Sequence, residues 1–306
     1  MKTWVKYSAI AFALFLAVSI IGSCLVAGIV VARSLNDAFG ENGLSKESFV
    51  NFDGEVFKSI QEGLAKIGIQ IGDSGEKKTG EYSLNEATNA IYVEGFSGTL
   101  TITRGQRYSV VYRNIPEDYK IYEENGALYL KGANKMGIFL FTNSYEQSIE
   151  ITVPTGVYLR LLDLDTGSGT TTISKIQADK IILDSGSGSC VFQEVACEKL
   201  DIDSGSGACK MTEMVCTDLL VDSGSGSVSY QGELFGNGDF DTGSGSVKLD
   251  ITGAESNYNI YASLGSGGMY INGKREKDTK ITYKSADSNL KFSTGSGRVS
   301  INFTGE

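Results

Sequence analysis

Histidine is absent from the 306-residue sequence, and proline occurs only twice. Without histidine the chain lacks the commonest general base and metal ligand, which argues against an enzyme but leaves carboxylate or cysteine chemistry open. Glycine, by contrast, is abundant at 38 residues. Because prolines are so few, this glycine content indicates repeated tight turns between short strands rather than a disordered linker.

Basic residues are also scarce relative to acidic ones, at 27 against 37. The resulting net charge of −10 argues against nucleic acid or an anionic lipid surface as a partner of the soluble part. An acidic surface suits cations or basic partners, or simply keeps a protein soluble. We therefore expect no nucleic-acid binding.

The N-terminal region contains one long apolar run. Residues 8–32 carry no charge over 25 positions, whereas about 20 are needed to cross a bilayer. Lys2 and Lys6 precede the run, so the positive-inside rule predicts a cytoplasmic N-terminus at residues 1–7. We expect a single-pass transmembrane helix over 8–32 in the cell membrane, with the C-terminal domain extracellular.

Cys24 offers an alternative anchor. The sequence from Ile21 to Cys24 resembles the lipobox of bacterial lipoproteins, in which the cysteine is lipidated and becomes the N-terminus. The apolar run continues for eight residues past Cys24, which favours the uncleaved helix. Both readings tether the chain to a membrane.

Residues 33–80 are predicted as a helical spacer and linker. Apolar residues recur there at intervals of three or four, at Phe49, Phe52, Val56, Ile60, Leu64 and Ile67, so they share one helical face. That face could lie on the membrane, pair with a partner helix, or pack on the base of the outer domain. Residues 72–80 read as a flexible linker.

A 19-residue repeat dominates the C-terminal half. Five copies of Asp-(Ser/Thr)-Gly-Ser-Gly begin at Asp165, Asp184, Asp203, Asp222 and Asp241. Weaker copies occupy 263–267 and 293–297, and residues 95–98 resemble a degenerate one. We expect the glycines to permit positive φ at a recurring corner.

The segments that flank each copy alternate between apolar and polar residues, which predicts strands. Inward positions fall three and one before each Asp and six and eight after it. A third inward position falls thirteen after it, at Ala178, Cys197, Cys216 and Phe235. One unit cannot bury its own inward face, but stacked units can. The sequence therefore predicts an all-β fold, a parallel β-solenoid (β-helix-like) with 19-residue rungs over 161–306.

Residues 81–160 are predicted as an irregular N-terminal β cap, because an open end would expose strand edges. Its expected strands are 90–94, 99–103, 108–112, 127–131 and 148–153. Residues 137–141 form an apolar patch in a loop. That patch would either plug the end of the stack or serve as a docking surface.

The repeated (Ser/Thr)-Gly-Ser-Gly turns behind an N-terminal anchor resemble a bacterial family of adhesin-like β-strand-repeat proteins of unknown function. The resemblance covers residues 90–303, with residues 148–154 similar to the strand that precedes the family's first regular turn. It implies a cell-envelope protein of the kind common in Gram-positive bacteria, with either an adhesive or an envelope-stress signalling role. It implies no catalytic residue.

The five repeat aspartates are the feature that could carry chemistry. In stacked rungs their carboxylates would lie about 5 Å apart and repel one another by about 0.8 kcal/mol per pair in water. Three outcomes are open: full solvation, raised pKa values, or a bound cation such as Ca²⁺. The alternative is local, since a turn Asp accepts a hydrogen bond from the backbone N–H two residues on. Asp165, Asp184, Asp203, Asp222 and Asp241 are thus candidate Ca²⁺ ligands, and no other cofactor is expected.

Four cysteines fall on equivalent inward positions, Cys190 with Cys209 and Cys197 with Cys216. Stacked neighbours are near enough for a disulfide, but in-register side chains point alike. We therefore expect free thiols that pack as small hydrophobic groups.

Together these features predict a non-enzymatic, adhesin-like or protein-interaction module whose partner is a protein or a cell-surface glycan. The alternatives are a regulatory component of envelope-stress signalling and, more remotely, a polysaccharide-active enzyme on a β-helix scaffold. The enzyme would need a non-repeating carboxylate cluster in a cleft, whereas the acids here lie in the repeat itself.

Overall fold

The structure is a computed structural model that describes residues 77–84, 88–132, 147–277, 279–284 and 286–305. These residues belong to one compact unit, Gln70–Glu306. The predicted transmembrane helix, the helical face at 49–67, Cys24 and the apolar patch at 137–141 lie outside the described residues. Within the described ranges, no helix has the length and apolar character needed to cross a membrane.

The described residues form an all-β fold whose strands join in one hydrogen-bonded network. A single turn of 3-10 helix, Glu255–Asn257, is the exception among them. The strands are β1 (Lys77–Tyr82), β2 (Ala90–Gly105), β3 (Ser109–Pro116), β4 (Lys120–Glu124), β5 (Ala127–Lys131), β6 (Ser148–Pro154), β7 (Leu159–Ser174), β8 (Gln177–Ser185), β9 (Ser189–Gln193), β10 (Ala196–Ser204), β11 (Cys209–Ser223), β12 (Val228–Leu234), β13 (Gly238–Thr242), β14 (Val247–Ile251), β15 (Tyr258–Leu264), β16 (Met269–Ile271), β17 (Lys274–Glu276), β18 (Lys280–Ile281), β19 (Ser288–Thr294) and β20 (Val299–Phe303).

The 19-residue repeat corresponds to parallel strand pairing in register. The strands before the turn are β7, β8, β10 and β11, which pair in that order. Leu162 lies opposite Ile181, Ile181 opposite Leu200, and Leu200 opposite Leu219. After the turn, β7, β9, β11 and β12 align in the same way, with Cys190 opposite Cys209. Each repeat therefore contributes one rung, with a strand on either side of its glycine turn.

The apolar columns predicted from the alternation form the core. Residues three and one before each repeat Asp, such as Leu200 and Ile202, are fully or almost fully buried. Those six and eight after it, such as Val228 and Tyr230, are buried as well. Because successive rungs place like residues over like, each buried side chain covers the one beneath it, and burial of this apolar area drives the stacking.

At both ends the spatial order of the rungs departs from chain order. β2 lies against β7 along its whole length, while β5 and β6 pair with the other edge of β2. At the C-terminal end, β19 lies between β13 and β15, and β20 lies between β14 and β16. The last rung in the sequence is thus inserted before the one that precedes it.

The expected N-terminal cap is therefore more regular than predicted. β2 is a complete rung, and its turn aligns Phe96 with Thr166 and Gly98 with Gly169. This alignment confirms residues 95–98 as a degenerate copy of the repeat turn.

The linker predicted over 72–80 is wrong at its C-terminal end. Lys77–Gly80 belongs to β1, which pairs antiparallel with β3 and aligns Lys78 with Ile115. The N–H of Asn114 donates to Thr79 Oγ1 at 3.1 Å, and Lys78 Nζ donates to the Glu117 carbonyl at 2.8 Å. Charged residues next to glycine are typical of a linker. Here the segment forms a strand because its backbone pairs with that of β3.

Phe235 was predicted to point inward, and this prediction is wrong. Its side chain is 64% exposed, while the preceding residue, Leu234, is 2% exposed. The pairing of β11 with β12 shifts by one residue, from Met211 opposite Tyr230 to Cys216 opposite Leu234. One residue fewer at this corner turns the predicted inward position outward.

Candidate functional site

The repeat turns stack into a single column, here called the turn column. Its members in spatial order are residues 95–98, 165–169, 184–188, 203–207, 222–226, 241–245, 293–297 and 263–267. Backbone hydrogen bonds link neighbouring turns: the N–H groups of Gly205 and Ser206 donate to the carbonyls of Ser185 and Gly186 at 2.9 and 3.2 Å. The same pair of bonds recurs from 184–188 to the last turn, 263–267.

The glycines of this column are required by close approach rather than by positive φ. A Cβ atom built on Gly207 would lie 1.6 Å from the Gly188 carbonyl oxygen, and one on Gly226 would lie 1.9 Å from that of Gly207. Neither residue has a positive φ. The expectation that these turns use the left-handed region is therefore wrong for them. That region is used at a different corner, ten residues after the Asp, by Lys175 and Glu194.

A buried hydroxyl follows each repeat Asp, and in three of the five turns it closes the turn from inside. Thr242 Oγ1 donates to the Gly245 carbonyl at 3.3 Å, and Ser223 Oγ reaches the Gly226 carbonyl at 3.5 Å. Ser204, at the centre of the column, is also buried, yet its Oγ has no hydrogen-bond partner among the described residues. The Ser/Thr of the motif is therefore an inward, structural position.

The five aspartates predicted to form a ladder lie side by side on adjacent rungs, as the pairings Asp165–Asp184, Asp184–Asp203, Asp203–Asp222 and Asp222–Asp241 show. All five are exposed, although neighbouring rungs partly desolvate the carboxylates of Asp184 and Asp222. Partial burial, together with the neighbouring charges of Asp203 and Asp165, raises the pKa of Asp184 above its usual value. Burial and the charges of Asp203 and Asp241 likewise raise the pKa of Asp222. The ladder is thus a column of mutually repelling carboxylates.

The expected local hydrogen bond, in which each Asp accepts from the backbone N–H two residues on, is not formed. The N–H of Gly186, two residues after Asp184, donates to the Thr166 carbonyl of the neighbouring rung at 3.0 Å. The equivalent N–H groups at Gly205, Gly224 and Gly243 also donate to the neighbouring rung. Rung-to-rung pairing therefore uses the donors that an Asp turn would need.

Within the described ranges, no group of three or more Asp, Glu or Cys side chains is arranged to hold a metal ion. The ladder supplies one carboxylate per rung, whereas Ca²⁺ takes six to eight oxygen ligands. Ca²⁺ binding by Asp165, Asp184, Asp203, Asp222 and Asp241 stays a prediction.

A second polar ladder, which sequence reasoning missed, runs along the other end of the pre-turn strands. Asp218 Oδ1 accepts from the N–H of Asn237 at 2.9 Å, and Asn237 Oδ1 accepts from the N–H of Asn289 at 3.0 Å. The ladder ends where Asn259 donates to Asn289 at 3.4 Å and accepts from the N–H of Tyr283 at 3.1 Å. Because the rung at 288–303 is displaced from its chain order, no fixed spacing in the sequence shows this column.

The cysteine pairs differ from each other. Cys190 and Cys209 form a disulfide across neighbouring rungs, so the expectation of free thiols is wrong for this pair. Their Cα atoms lie 4.6 Å apart, within the range that a disulfide spans even between in-register strands. Cys197 and Cys216 are free and buried, as predicted, with their sulfurs 3.7 Å apart. The hydrogen bond to Cys216 and burial raise the pKa of the Cys197 thiol, which keeps it protonated and unreactive.

Among solved structures, similar chains include a candidate cell adhesion protein from Clostridium sporogenes, with 13% identity over 75% of this chain and 100% of that chain, and a TM-score of 0.38. A candidate adhesin from Bacteroides fragilis has 16% identity over 76% and 99% of the two chains, and a TM-score of 0.42. A candidate lipid binding protein from Parabacteroides distasonis has 17% identity over 77% and 99%, and a TM-score of 0.39. No match was found among curated proteins.

These TM-scores are too low for the likenesses to carry an argument. The family model described as Toastrack DUF4097, by contrast, matches residues 82–303, which include nearly all the described strands and the whole turn column. This match agrees with the resemblance drawn from the repeat turns. The chain belongs to the Toastrack DUF4097 family, whose domain has no known function.

Proposed function

We propose that this protein is a membrane-anchored, extracytoplasmic β-solenoid that acts as a non-enzymatic, adhesin-like or protein-interaction module of the bacterial cell envelope. The observation that supports the proposal is that inward and outward positions of each rung carry different kinds of side chain. Inward positions are filled by packed apolar side chains, while one outward position, that of the repeat Asp, presents a carboxylate on five successive rungs. A surface of straight, evenly spaced columns suits recognition of an extended partner.

The acidic column supports recognition better than catalysis. Acid–base chemistry needs two carboxylates whose environments push their pKa values apart. In the ladder, Asp184 and Asp222 are shifted in the same direction and by the same causes, burial and neighbouring Asp charges. Repeated acids in one environment form an electrostatic surface, and such a surface steers and orients a basic partner.

The membrane placement rests on the uncharged 25-residue run at 8–32 and on Lys2 and Lys6 before it. It is tested by labelling a Ser206→Cys variant in intact cells with a membrane-impermeant maleimide. Ser206 is exposed at the turn column, so we expect labelling without permeabilisation. The wild-type chain is the control for reaction at the native cysteines. Labelling of Ser206→Cys only after permeabilisation would contradict the extracellular placement.

The interaction role is tested by photo-crosslinking in intact cells. A photoreactive residue replaces Ser206 or Asp201 on the outside of the stack, or Leu200 in the core as a matched control. We expect the outward positions, but not Leu200, to capture another envelope macromolecule. A captured sensor kinase or its regulator would favour the signalling alternative. Absence of any adduct from a panel of outward positions would contradict the proposed function.

A further inference from the structure

The turn column ends at residues 263–267 with two backbone acceptors unused. From 184–188 onward, each turn donates two N–H groups to the carbonyls of the turn before it, as Gly265 and Ser266 donate to Thr294 and Gly295 at 2.8 and 2.9 Å. The corresponding carbonyls of the last turn belong to Leu264 and Gly265. Among the described residues, no backbone N–H donates to either of them.

The chain beyond this turn takes a shorter route and leaves a gap. β17 pairs antiparallel with β16, with Glu276 opposite Met269. β18 then pairs antiparallel with β15, with Lys280 opposite Tyr261. Only three positions separate Glu276 from Lys280, whereas seven separate Tyr261 from Met269. The returning chain cannot follow the outward bulge of the turn.

A cavity of about 490 Å³ lies between the turn and this returning chain. One wall comes from the last rung, and its lining includes Leu264 and Met269. The opposite wall includes Arg275, Glu276 and Lys277. This volume is in the range of small ligand sites. Its position beside the last turn is where a further turn would begin to stack.

The end of the stack is cationic in an otherwise acidic chain. Lys274, Arg275, Lys277 and Lys280 are all exposed. Among the described residues, none of these four forms an ion pair with a carboxylate. The Asp ladder does not reach this end, because its position is occupied by Ser293 and then Ser263 in the last two rungs. Two acids belong to the same segment: Glu276 lines the cavity, and Asp278 lies outside the described residues. Because four cations outnumber them, an acidic group is the favoured counterpart of this end.

We propose that this end of the stack receives an extended, acidic, glycine-containing peptide segment of a partner protein, which adds one more turn to the column. Its N–H groups would donate to the carbonyls of Leu264 and Gly265, and its carboxylate would face Arg275 and Lys277. Glycine is needed because every earlier junction in the column brings backbone against backbone. This site rests on the proposed interaction role and adds an acidic segment to the basic surface that the Asp ladder would orient on a partner. The interaction role could hold through another face if the site failed.

The test uses the full-length chain and a fluorescent peptide with the sequence of residues 222–228, Asp-Ser-Gly-Ser-Gly-Ser-Val. We expect saturable binding by anisotropy, weakened at least about tenfold in the double variant Arg275→Glu/Lys277→Glu. The matched control, Lys120→Glu/Lys210→Glu, makes the same change in net charge at exposed positions away from this end and should bind as the wild type does. Circular dichroism checks that both variants fold.

A peptide methylated at the backbone nitrogens of its first Gly and second Ser separates backbone pairing from charge alone. We expect it to bind at least about tenfold more weakly, because it cannot donate to Leu264 and Gly265. Equal binding of the methylated peptide, or no saturable binding of the parent peptide, would overturn the proposal. If the chain self-associates and Arg275→Glu/Lys277→Glu abolishes that self-association, the occupant is a second copy of this chain. That result would overturn the proposal of a separate partner protein. The photo-crosslinking at Ser206 and Asp201 tests the interaction role independently of this result.

Discussion

Gly207 lies directly against Gly188 of the neighbouring rung, so that a Cβ atom on Gly207 would lie 1.6 Å from the Gly188 carbonyl oxygen. No side chain fits at that distance, and no flexible side chain is present to move away. The glycines therefore allow the turns to stack this closely. The motif has glycine at these positions because a side chain would collide with the backbone of the neighbouring rung. This contact accounts for the glycines of the motif without a ligand.

The first prediction concerns this contact. Gly207→Ala should destabilise the protein by about 3 kcal/mol or more, because backbone must move to admit the methyl group. Gly186→Ala is the matched comparison, since its Cβ would lie 3.1 Å from the Gly167 carbonyl oxygen and needs only a small adjustment. Thermal unfolding should show a clearly larger loss for Gly207→Ala. Equal losses would mean that the turns do not stack at the distances described.

The second prediction concerns the buried hydroxyls. Ser204→Ala should be neutral or stabilising, because it removes a buried oxygen that has no partner among the described residues. Ser223→Ala should cost about 0.5–1.5 kcal/mol, because it removes the hydroxyl that reaches the Gly226 carbonyl. Chemical denaturation of the two variants gives the difference directly. A greater loss for Ser204→Ala would contradict the hydrogen bonding described here.

The third prediction concerns the Asp ladder. The pKa values of Asp184 and Asp222 are raised in the folded state, so these groups hold protons more tightly there than in the unfolded chain. Their contribution to stability is therefore fully present below the unfolded pKa, near 4, and is lost as the pH rises through the folded values. Asp203→Asn removes the charge between them and should stabilise the protein at neutral pH by up to about 1 kcal/mol, less at high salt.

Thermal melts of Asp203→Asn and the wild type at pH 7 and pH 4 make the measurement. The advantage of Asp203→Asn should shrink at pH 4, where the ladder is partly protonated. Glu150→Gln, an exposed change outside the ladder, should give no comparable gain. If millimolar Ca²⁺ raises the wild-type midpoint and Asp203→Asn abolishes that shift, the ladder binds the cation and the repulsive account is incomplete.

The fourth prediction concerns the two cysteine pairs. Reduction of Cys190–Cys209 should destabilise the protein by roughly 2–4 kcal/mol, because the bond closes a loop between positions 19 apart. Cys197 and Cys216 should remain unmodified by alkylating reagents in the folded protein and react after unfolding, since both are buried. Mass spectrometry of alkylated peptides distinguishes the pairs. Rapid alkylation of Cys190 in the folded, unreduced protein would contradict the disulfide.

The regular part of the fold could be predicted from the sequence because the repeat has one fixed spacing. Leu200, Ile202 and their equivalents alternate with outward residues. The alternation therefore predicts which face of each strand is buried, and the fixed spacing predicts the register between strands. Phe235 could not be placed, because the pairing slips by one residue at a corner where the sequence shows no gap. The column from Asp218 to Asn259 was missed because a rung is inserted out of chain order, which no local pattern encodes.

The candidate site was only partly predictable for a similar reason. The ladder of Asp residues follows from spacing alone. In contrast, the Leu264 and Gly265 carbonyls, which accept no backbone N–H from the described residues, depend on which rung comes last in space. The order of the terminal rungs depends on tertiary pairing of β19 with both β13 and β15. Sequence spacing in that region, where successive copies are 22 and then 30 residues apart instead of 19, gives no guide to it.

The stacking of the rungs, with 288–303 inserted before 258–271, underlies both proposals, and pulsed EPR tests it most directly. Spin-labelled amino acids would be placed at the exposed turn positions Ser187, Ser296 and Ser266. Counting rungs at about 4.8 Å each predicts about 19 Å from Ser187 to Ser296 and about 24 Å from Ser187 to Ser266. Narrow distributions in that order are the expected result. A shorter distance to Ser266 than to Ser296, or broad distributions for both pairs, would contradict the stack.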